Sequence, residues 1–292
     1  MTGDVLSTRQ VATLLGVGEA TVKRWADAGE IDCFRTPGGH RKFRLRDVTA
    51  FVQKRQYQAP GLLPEGLPPG AGELGENAVQ HFEAAALRGD APAMVAQLSA
   101  LRLRGHELAE LFDELVAPAL HRVGLKWEQE KISVADEHIA AQAVIDAVAR
   151  AQPLAEPPGE PVRPDRGTAI VAAVAGEQHD IAARMAGCLL RARGFEVLAP
   201  LAQTPARDLA DLVLRARASL VVLSSTVVNG VLNGVEEQVR MAAAAVRQTG
   251  GRVVVGGSGM RRVELPPEVR LLASLGELEA DTATAGRRRA RS

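Results

Sequence analysis

Between residues 168 and 280, short apolar runs alternate with longer segments of helical spacing, an order that few folds accommodate. Ala169 to Val174 is a continuous apolar run, and Ile181 to Arg193 reads as a helix stopped by Gly194. Glu196 to Leu201 is a second strand and Ala206 to Ala216 a second helix. Leu220 to Leu223, Gly234 to Arg247 and Arg252 to Val255 continue the series into Gly256-Gly257. Strands apolar on both faces must be covered on both faces. The pattern therefore predicts a doubly wound α/β domain with a parallel sheet, whose ligands sit beyond the carboxyl ends of the strands.

Two Pro/Gly-dense stretches, 59–72 (APGLLPEGLPPGAG) and 153–167 (PLAEPPGEPVRPDRG), lack apolar periodicity and read as linkers. They divide the 292 residues into 1–58, 73–152 and 168–280, with a basic tail at 281–292. Val79-Phe82-Ala86, Met94-Leu98-Leu101, Leu108-Leu111-Leu115 and Ile139-Val144-Val148 repeat at helical spacing, which predicts a small antiparallel four-helix bundle for the middle part. Aromatic residues are only 3% of the chain, with two Trp, so the cores are expected to be built from Ala, Leu and Val. Two distant cysteines, Cys33 and Cys188, give neither a disulfide framework nor a thiolate metal site. With no long apolar run and no basic-then-apolar leader pattern, a cytoplasmic protein without a membrane span is expected.

Lys plus Arg equals Asp plus Glu at 35 each, but the first 55 residues carry an excess of roughly four positive charges. Ser7-Thr-Arg-Gln10 has the spacing of a capping box. A first helix follows, then Gly16-Val-Gly18 as a turn, then a second helix from Glu19 to Ala28 stopped by Gly29. Val22, Trp25 and Ala26 would face the core, and Thr21, Lys23 and Arg24 would face outward. Ile31 to Arg35 and His40 to Arg44 read as a hairpin around Thr36-Pro-Gly-Gly39. RTPGGHRKFR matches the wing of the MerR family, and the segment resembles a MerR-type winged helix-turn-helix. That resemblance implies double-stranded DNA as partner, met by Thr21, Lys23 and Arg24 on the second helix and by His40, Arg41, Lys42 and Arg44 on the wing.

Three loops of the α/β part converge on one crevice: Gly176 to Ala182 (GEQHDIA), Ser224-Ser225-Thr226, and Gly256-Gly257-Ser258-Gly259. Neutral imidazole is a good transition-metal ligand, and glycine lets a bulky group approach the backbone. The pattern is similar to the cobalamin-binding fingerprint of an acidic residue, spacer, His, two spacers and Gly, followed by a Ser motif and Gly-Gly. Glu177 stands where Asp is usual, and Ala182 where Gly is usual. The resemblance implies a flavodoxin-like domain in which His179 is the lower axial ligand to cobalt. Glu177, Asp180, Ser224, Ser225, Thr226, Gly256 and Gly257 would surround the cofactor with it.

The middle part adds a second match. Trp127 is followed after nine residues by Glu137-His138, and KWEQEKISVADEHIA resembles the cap bundle of CarH/LitR-type adenosylcobalamin photoreceptors. The resemblance implies that Trp127, Glu137 and His138, with Glu128 beside them, cover the adenosyl face of adenosylcobalamin. The resemblance implies a homo-oligomer, a dimer or tetramer, that represses transcription with adenosylcobalamin bound and releases the DNA in light. Glu128 occupies the position where light-sensing members commonly carry a His, which leaves a light-insensitive cobalamin sensor as an alternative. A corrinoid methyl-carrier module is the enzyme-class alternative; the attached winged helix and the absence of a catalytic domain argue against it.

Overall fold

A computed structural model describes residues 5–15, 17–55, 73–155, 162–199, 202–226 and 232–289. Its contacts divide the chain into two compact units, Met1–Pro161 and Val162–Ser292. The stretch 59–72, read above as a linker, lies outside the described residues.

In the first unit β1 (Val5–Ser7) leads into α1 (Thr8–Leu15), and α2 (Glu19–Asp27) completes a helix-turn-helix. The capping box forms as expected, Gln10 N–H donating to Ser7 Oγ at 3.2 Å and Ser7 N–H to Gln10 Oε1 at 2.8 Å. The wing is β2 (Phe34–Arg35) and β3 (Arg41–Arg44), joined through a turn in which Gly39 adopts φ +77°. Two features were not legible from the sequence. β1 adds a third strand to the wing sheet, in the order β1-β3-β2, and α3 (Leu45–Arg55) closes the core beneath it. The strand expected from Ile31 is shorter because Ile31 turns inward and packs with Val22, Trp25 and Phe43. Trp25 stacks on Phe51 of α3 at 4.7 Å between centroids, which explains one of the two indoles as core.

The bundle consists of α4 (Glu76–Leu87), α5 (Ala91–Leu103), a third helical rod and α8 (Val134–Ala155). That rod runs as α6 (Leu108–Leu111), a π-helical turn (Phe112–Val116) and α7 (Ala117–Glu128). Pro118 lacks the N–H that an α-helical ladder needs, and the widened turn lies immediately before it. Buried Glu83 of α4 holds the rod in place through ion pairs with Arg122 and Lys126 of α7. The segment 153–167 does not begin as a linker: α8 carries Pro153 inside it and runs to Ala155. Ala151 and Leu154 are buried there, and Arg102 Nε donates to the Leu154 carbonyl at 3.0 Å, so packing extends the helix past the proline. α3 lies against α5 and α8, which makes the winged helix and the bundle one unit.

The second unit is the predicted α/β domain. β4 (Thr168–Ala173), β5 (Glu196–Leu198), β6 (Leu220–Ser224), β7 (Arg252–Gly256) and β8 (Arg270–Leu272) form one parallel sheet in the order β5-β4-β6-β7-β8. Helices α9 (Ile181–Ala192) and α12 (Leu275–Arg289) belong to one face, α10 (Ala206–Arg215) and α11 (Leu232–Gln248) to the other. The strand period of two sorts the apolar runs between these layers. Ile170, Ala172, Val221, Leu223, Val253 and Val255 pack with Leu209, Val213 and Val239, while Ala169, Val171, Leu220, Val222 and Val254 pack with Ala186, Leu190 and Leu278.

The domain also extends beyond the residue 280 boundary. α12 runs to Arg289, so most of the segment read as a basic tail is helical. Asp281 accepts from Arg252 Nη2 at 2.6 Å and from Arg270 Nη1 at 2.9 Å, and the Thr282 side chain is fully buried. The sequence gives these residues no apolar signal; what holds them is ion pairing to two strands. A chain truncated after residue 280 is expected to lose about 2 kcal/mol of stability, seen as a lower urea midpoint of the second unit.

Candidate functional site

The order β5-β4-β6-β7-β8 reverses direction between β4 and β6, and their connections leave toward opposite faces of the sheet. That opens a crevice at the carboxyl ends of these two strands. The loop after β4 carries Glu177 and His179, and the loop after β6 carries Ser225 and Thr226. Pairing extends past the strands, Val174 N–H donating to Ser224 O at 3.0 Å and Ser225 N–H to Gly256 O at 3.1 Å, so all three predicted loops meet here.

Glu177 is 3% exposed and its carboxylate organises the site. Oε1 accepts from the His179 backbone N–H at 2.9 Å and faces His179 Nδ1 at 2.7 Å. Oε2 accepts from the Thr226 N–H at 2.7 Å and from Ser225 Oγ at 3.4 Å. Because a carboxylate accepts and does not donate, Nδ1 carries the ring proton and the Nε2 lone pair is left for a ligand. The His179 side chain is 53% exposed, so that nitrogen is reachable.

The remaining residues fit a bulky group in the crevice. Ser224 Oγ is buried and has no hydrogen-bond partner among the described residues, which a ligand nitrogen or oxygen could supply. Gly257 adopts φ +96°, and a Cβ there would stand 2.1 Å from Ser225 O, so only glycine lets the loops after β6 and β7 close together. Ser258 Oγ donates to Thr226 O at 2.6 Å and ties them further. Asp180 turns away: its carboxylate takes both Nε and Nη2 of Arg184, at 2.9 and 2.7 Å, and so braces the start of α9.

Sequence reasoning missed Gln203 and Gln238. Gln203 Nε2 donates to the Glu177 carbonyl at 3.1 Å, and Gln238 links Ala175 N–H at 2.8 Å to Thr204 O at 3.0 Å. The available signal was a glutamine at a core-facing position of α11, between Val235, Val239 and Ala242.

In the first unit Trp127, Glu128, Glu137 and His138 gather at the junction of α7 and α8. Trp127 is 46% exposed, and Leu125, Val134 and Ile139 on the same two helices are exposed as well. Ile139, read as a core position of α8, is thus at the surface. Glu137 Oε2 lies 3.6 Å from His138 Nε2, and Glu128 is exposed on the last turn of α7. Ser133 and Asp136 cap α8 reciprocally, and the Ser133 hydroxyl and then its N–H hold the Asp136 carboxyl below the ordinary carboxylate range. This cap steadies the turn bearing Glu137 and His138 above that range and is lost as pH falls through the lowered value.

On the helix-turn-helix, Lys23 and Arg24 are exposed on α2 and Thr21 is half-buried beside them. His40 is exposed at the wing turn, and Lys42 is half-buried on β3. Arg41 pairs with Asp27 at the end of α2, fastening wing to helix. Arg44 lies over the Phe34 ring, 5.6 Å from its centroid.

Two family models match: a helix-turn-helix domain over residues 5–56 and a B12 binding domain over residues 78–152, the helical bundle. The HTH-type transcriptional repressor CarH of Myxococcus xanthus is 29% identical over 274 residues, covering 86% of this chain and 88% of that protein. The chain is therefore similar to that repressor along most of its length. The transcriptional repressor DcmR of Methylorubrum extorquens is 40% identical over 57 residues, covering 19% of this chain and 22% of that protein. Among solved structures, the monomethylamine corrinoid protein of Methanosarcina barkeri superposes with a TM-score of 0.55 at 16% identity, over 70% of this chain and 96% of that one. This last likeness is one of fold. Among the described residues no helix is long and apolar enough to cross a membrane.

On a helix-turn-helix laid against DNA, exposed cations set the salt dependence of binding. Replacing both Lys23 and Arg24 by Ala should flatten the slope of log K against log salt by about 0.9 for each phosphate contact removed. Arg41→Ala, already committed to Asp27, should flatten it less; titrations of duplex DNA at several salt concentrations compare the three proteins.

Proposed function

We propose that the chain is a cobalamin-dependent transcriptional repressor that uses adenosylcobalamin to control its hold on DNA. The observation that carries this reading is the Glu177–His179 pair, which leaves Nε2 of a half-exposed imidazole available at a switch-point crevice beside a Ser224 hydroxyl that has no partner among the described residues. His179 would hold the cobalt, and Ser224, Ser225, Thr226, Gly256 and Gly257 would bind the cofactor with it. Trp127, Glu137 and His138 are the residues we assign to recognising the adenosyl group, the indole by packing and the other two by hydrogen bonding. Adenosylcobalamin supplies a light-sensitive cobalt–carbon bond.

In this reading the protein acts in the cytoplasm, and the adenosyl form supports a dimer or tetramer whose several winged helices grip neighbouring half-sites at once. Linked binding of that kind raises affinity by orders of magnitude without new contacts. Thr21, Lys23, Arg24, His40, Lys42 and Arg44 would meet DNA, and Arg41 would set the wing that presents them. The working boundaries are 1–58, 73–155 and 162 onward. The chain is a regulator and not an enzyme; a free corrinoid carrier would have no use for the helix-turn-helix.

A second reading, a cobalamin sensor indifferent to light, is favoured by Glu128, because a carboxylate is a poorer partner for low-spin cobalt than imidazole. One experiment separates the readings. The full chain is mixed with adenosylcobalamin in the dark, and its size and its affinity for a duplex selected from a random library are measured before and after green light. The light-released repressor requires the dark complex to bind DNA as an oligomer and to fall apart on illumination. Equal size and affinity after light select the sensor, and equal DNA affinity with and without adenosylcobalamin would falsify both. Glu177→Ala should weaken cobalamin binding about 10- to 100-fold by absorbance titration, as loss of a partner that orients a metal-binding His does.

A further inference from the structure

We propose that Gln238 is a positioning residue for the His179 loop, clamping the segment after β4 to the segment before α10 and so setting where the imidazole stands. The inference rests on the reading of His179 as the cobalt ligand.

Gln238 is 0% exposed on α11, on the face that packs Val235, Val239 and Ala242 against the sheet. A primary amide in such a layer is costly unless both ends are satisfied. Both ends are satisfied: Oε1 accepts from Ala175 N–H at 2.8 Å, and Nε2 donates to Thr204 O at 3.0 Å. These partners dictate the amide orientation, because an N–H only donates and a carbonyl only accepts. Two residues on from Ala175, the Glu177 carbonyl accepts from Gln203 Nε2 at 3.1 Å, and Gln203 directly precedes Thr204. The two segments are thus stitched at two points, one reaching through the helix core and one direct. Gln203 itself holds φ +56°, a left-handed conformation that a non-glycine residue keeps only when its surroundings impose it.

The consequence concerns the backbone on which Glu177 is mounted. The Glu177 carboxylate fixes the ring of His179, but Glu177 is itself placed by the loop on either side of it. Val174 N–H bonds Ser224 O, Ala175 N–H bonds Gln238, and Glu177 O bonds Gln203, so three consecutive anchors precede the histidine. Only the Gln238 anchor comes from a helix locked in the sheet layer.

The test uses the full chain with Gln238→Met, which keeps length and removes the hydrogen bonds, and Val246→Ala as a control. Val246 is buried on the same helix and lies outside the network, so its loss lowers thermal stability without touching the loop. Protein labelled with nitrogen-15 histidine is titrated with cob(II)alamin, and the EPR spectrum reports whether a histidine nitrogen splits the cobalt signal. Hydrogen exchange of peptides covering residues 175–180 is read on the cofactor-free proteins. Gln238→Met is expected to bind about 10- to 100-fold more weakly, to show the histidine splitting in a smaller fraction at equal occupancy, and to exchange faster at 175–180. Val246→Ala should leave all three readouts unchanged. Wild-type affinity, splitting and exchange in Gln238→Met overturn the proposal, as do equal losses in Val246→Ala. Wild-type protein that binds without histidine splitting overturns the axial-ligand reading instead.

Discussion

A single buried carboxylate holds the second unit's site together. Glu177 faces donors from its own loop and from the loop after β6, through the His179 N–H and Nδ1, the Thr226 N–H and Ser225 Oγ. A carboxylate this buried costs several kcal/mol unless donors surround it. Those donors come together only when β4 and β6 lie side by side, so the orientation of one imidazole depends on assembly of the whole parallel sheet. The same carboxylate leaves His179 Nε2 open outward, which turns a structural requirement into a ligand position.

The sheet in turn depends on small, branched residues sorted by the strand period. β4 and β6 are buried along both faces and carry Ala, Val, Ile and Leu, without an aromatic ring. With so few rings in the chain, helices meet the sheet through alanines such as Ala183, Ala186 and Ala242. The reversal of winding between β4 and β6 then opens the crevice without any residue dedicated to shaping it. In the first unit a comparable economy holds: one carboxylate, Glu83, anchors the helix whose last turn carries Trp127, and one ion pair, Arg41 with Asp27, fastens the wing to the second helix of the helix-turn-helix.

Much of this was legible in the chain. The helix-turn-helix, the wing turn, the bundle and the first four strands of the α/β domain follow from periods of 3.6 and 2 punctuated by Gly and Pro. His179 and its three loops were legible because strand ends locate ligands in a doubly wound fold. β8 and α12 were not, since Arg270–Leu272 is too short to alternate and α12 is held by Asp281 and Thr282 instead of an apolar stripe. Pro153 and the segment after 280 read as breakers and tail because local composition says nothing about a distant partner such as Arg102 or Arg252.

By itself the sequence determined which residues are apolar, at what spacing, and where turns fall, because these are properties of neighbours along the chain. It therefore fixed the layers and named His179, Trp127 and the cations of α2 and the wing. The tertiary structure alone decided which polar atoms meet. It turned Arg41 toward Asp27, left Ser224 Oγ without a partner among the described residues, and brought Gln203 and Gln238 to the histidine loop. Hydrogen bonds and ion pairs act over about 3 Å between groups tens of residues apart, and no local pattern in the chain records those meetings.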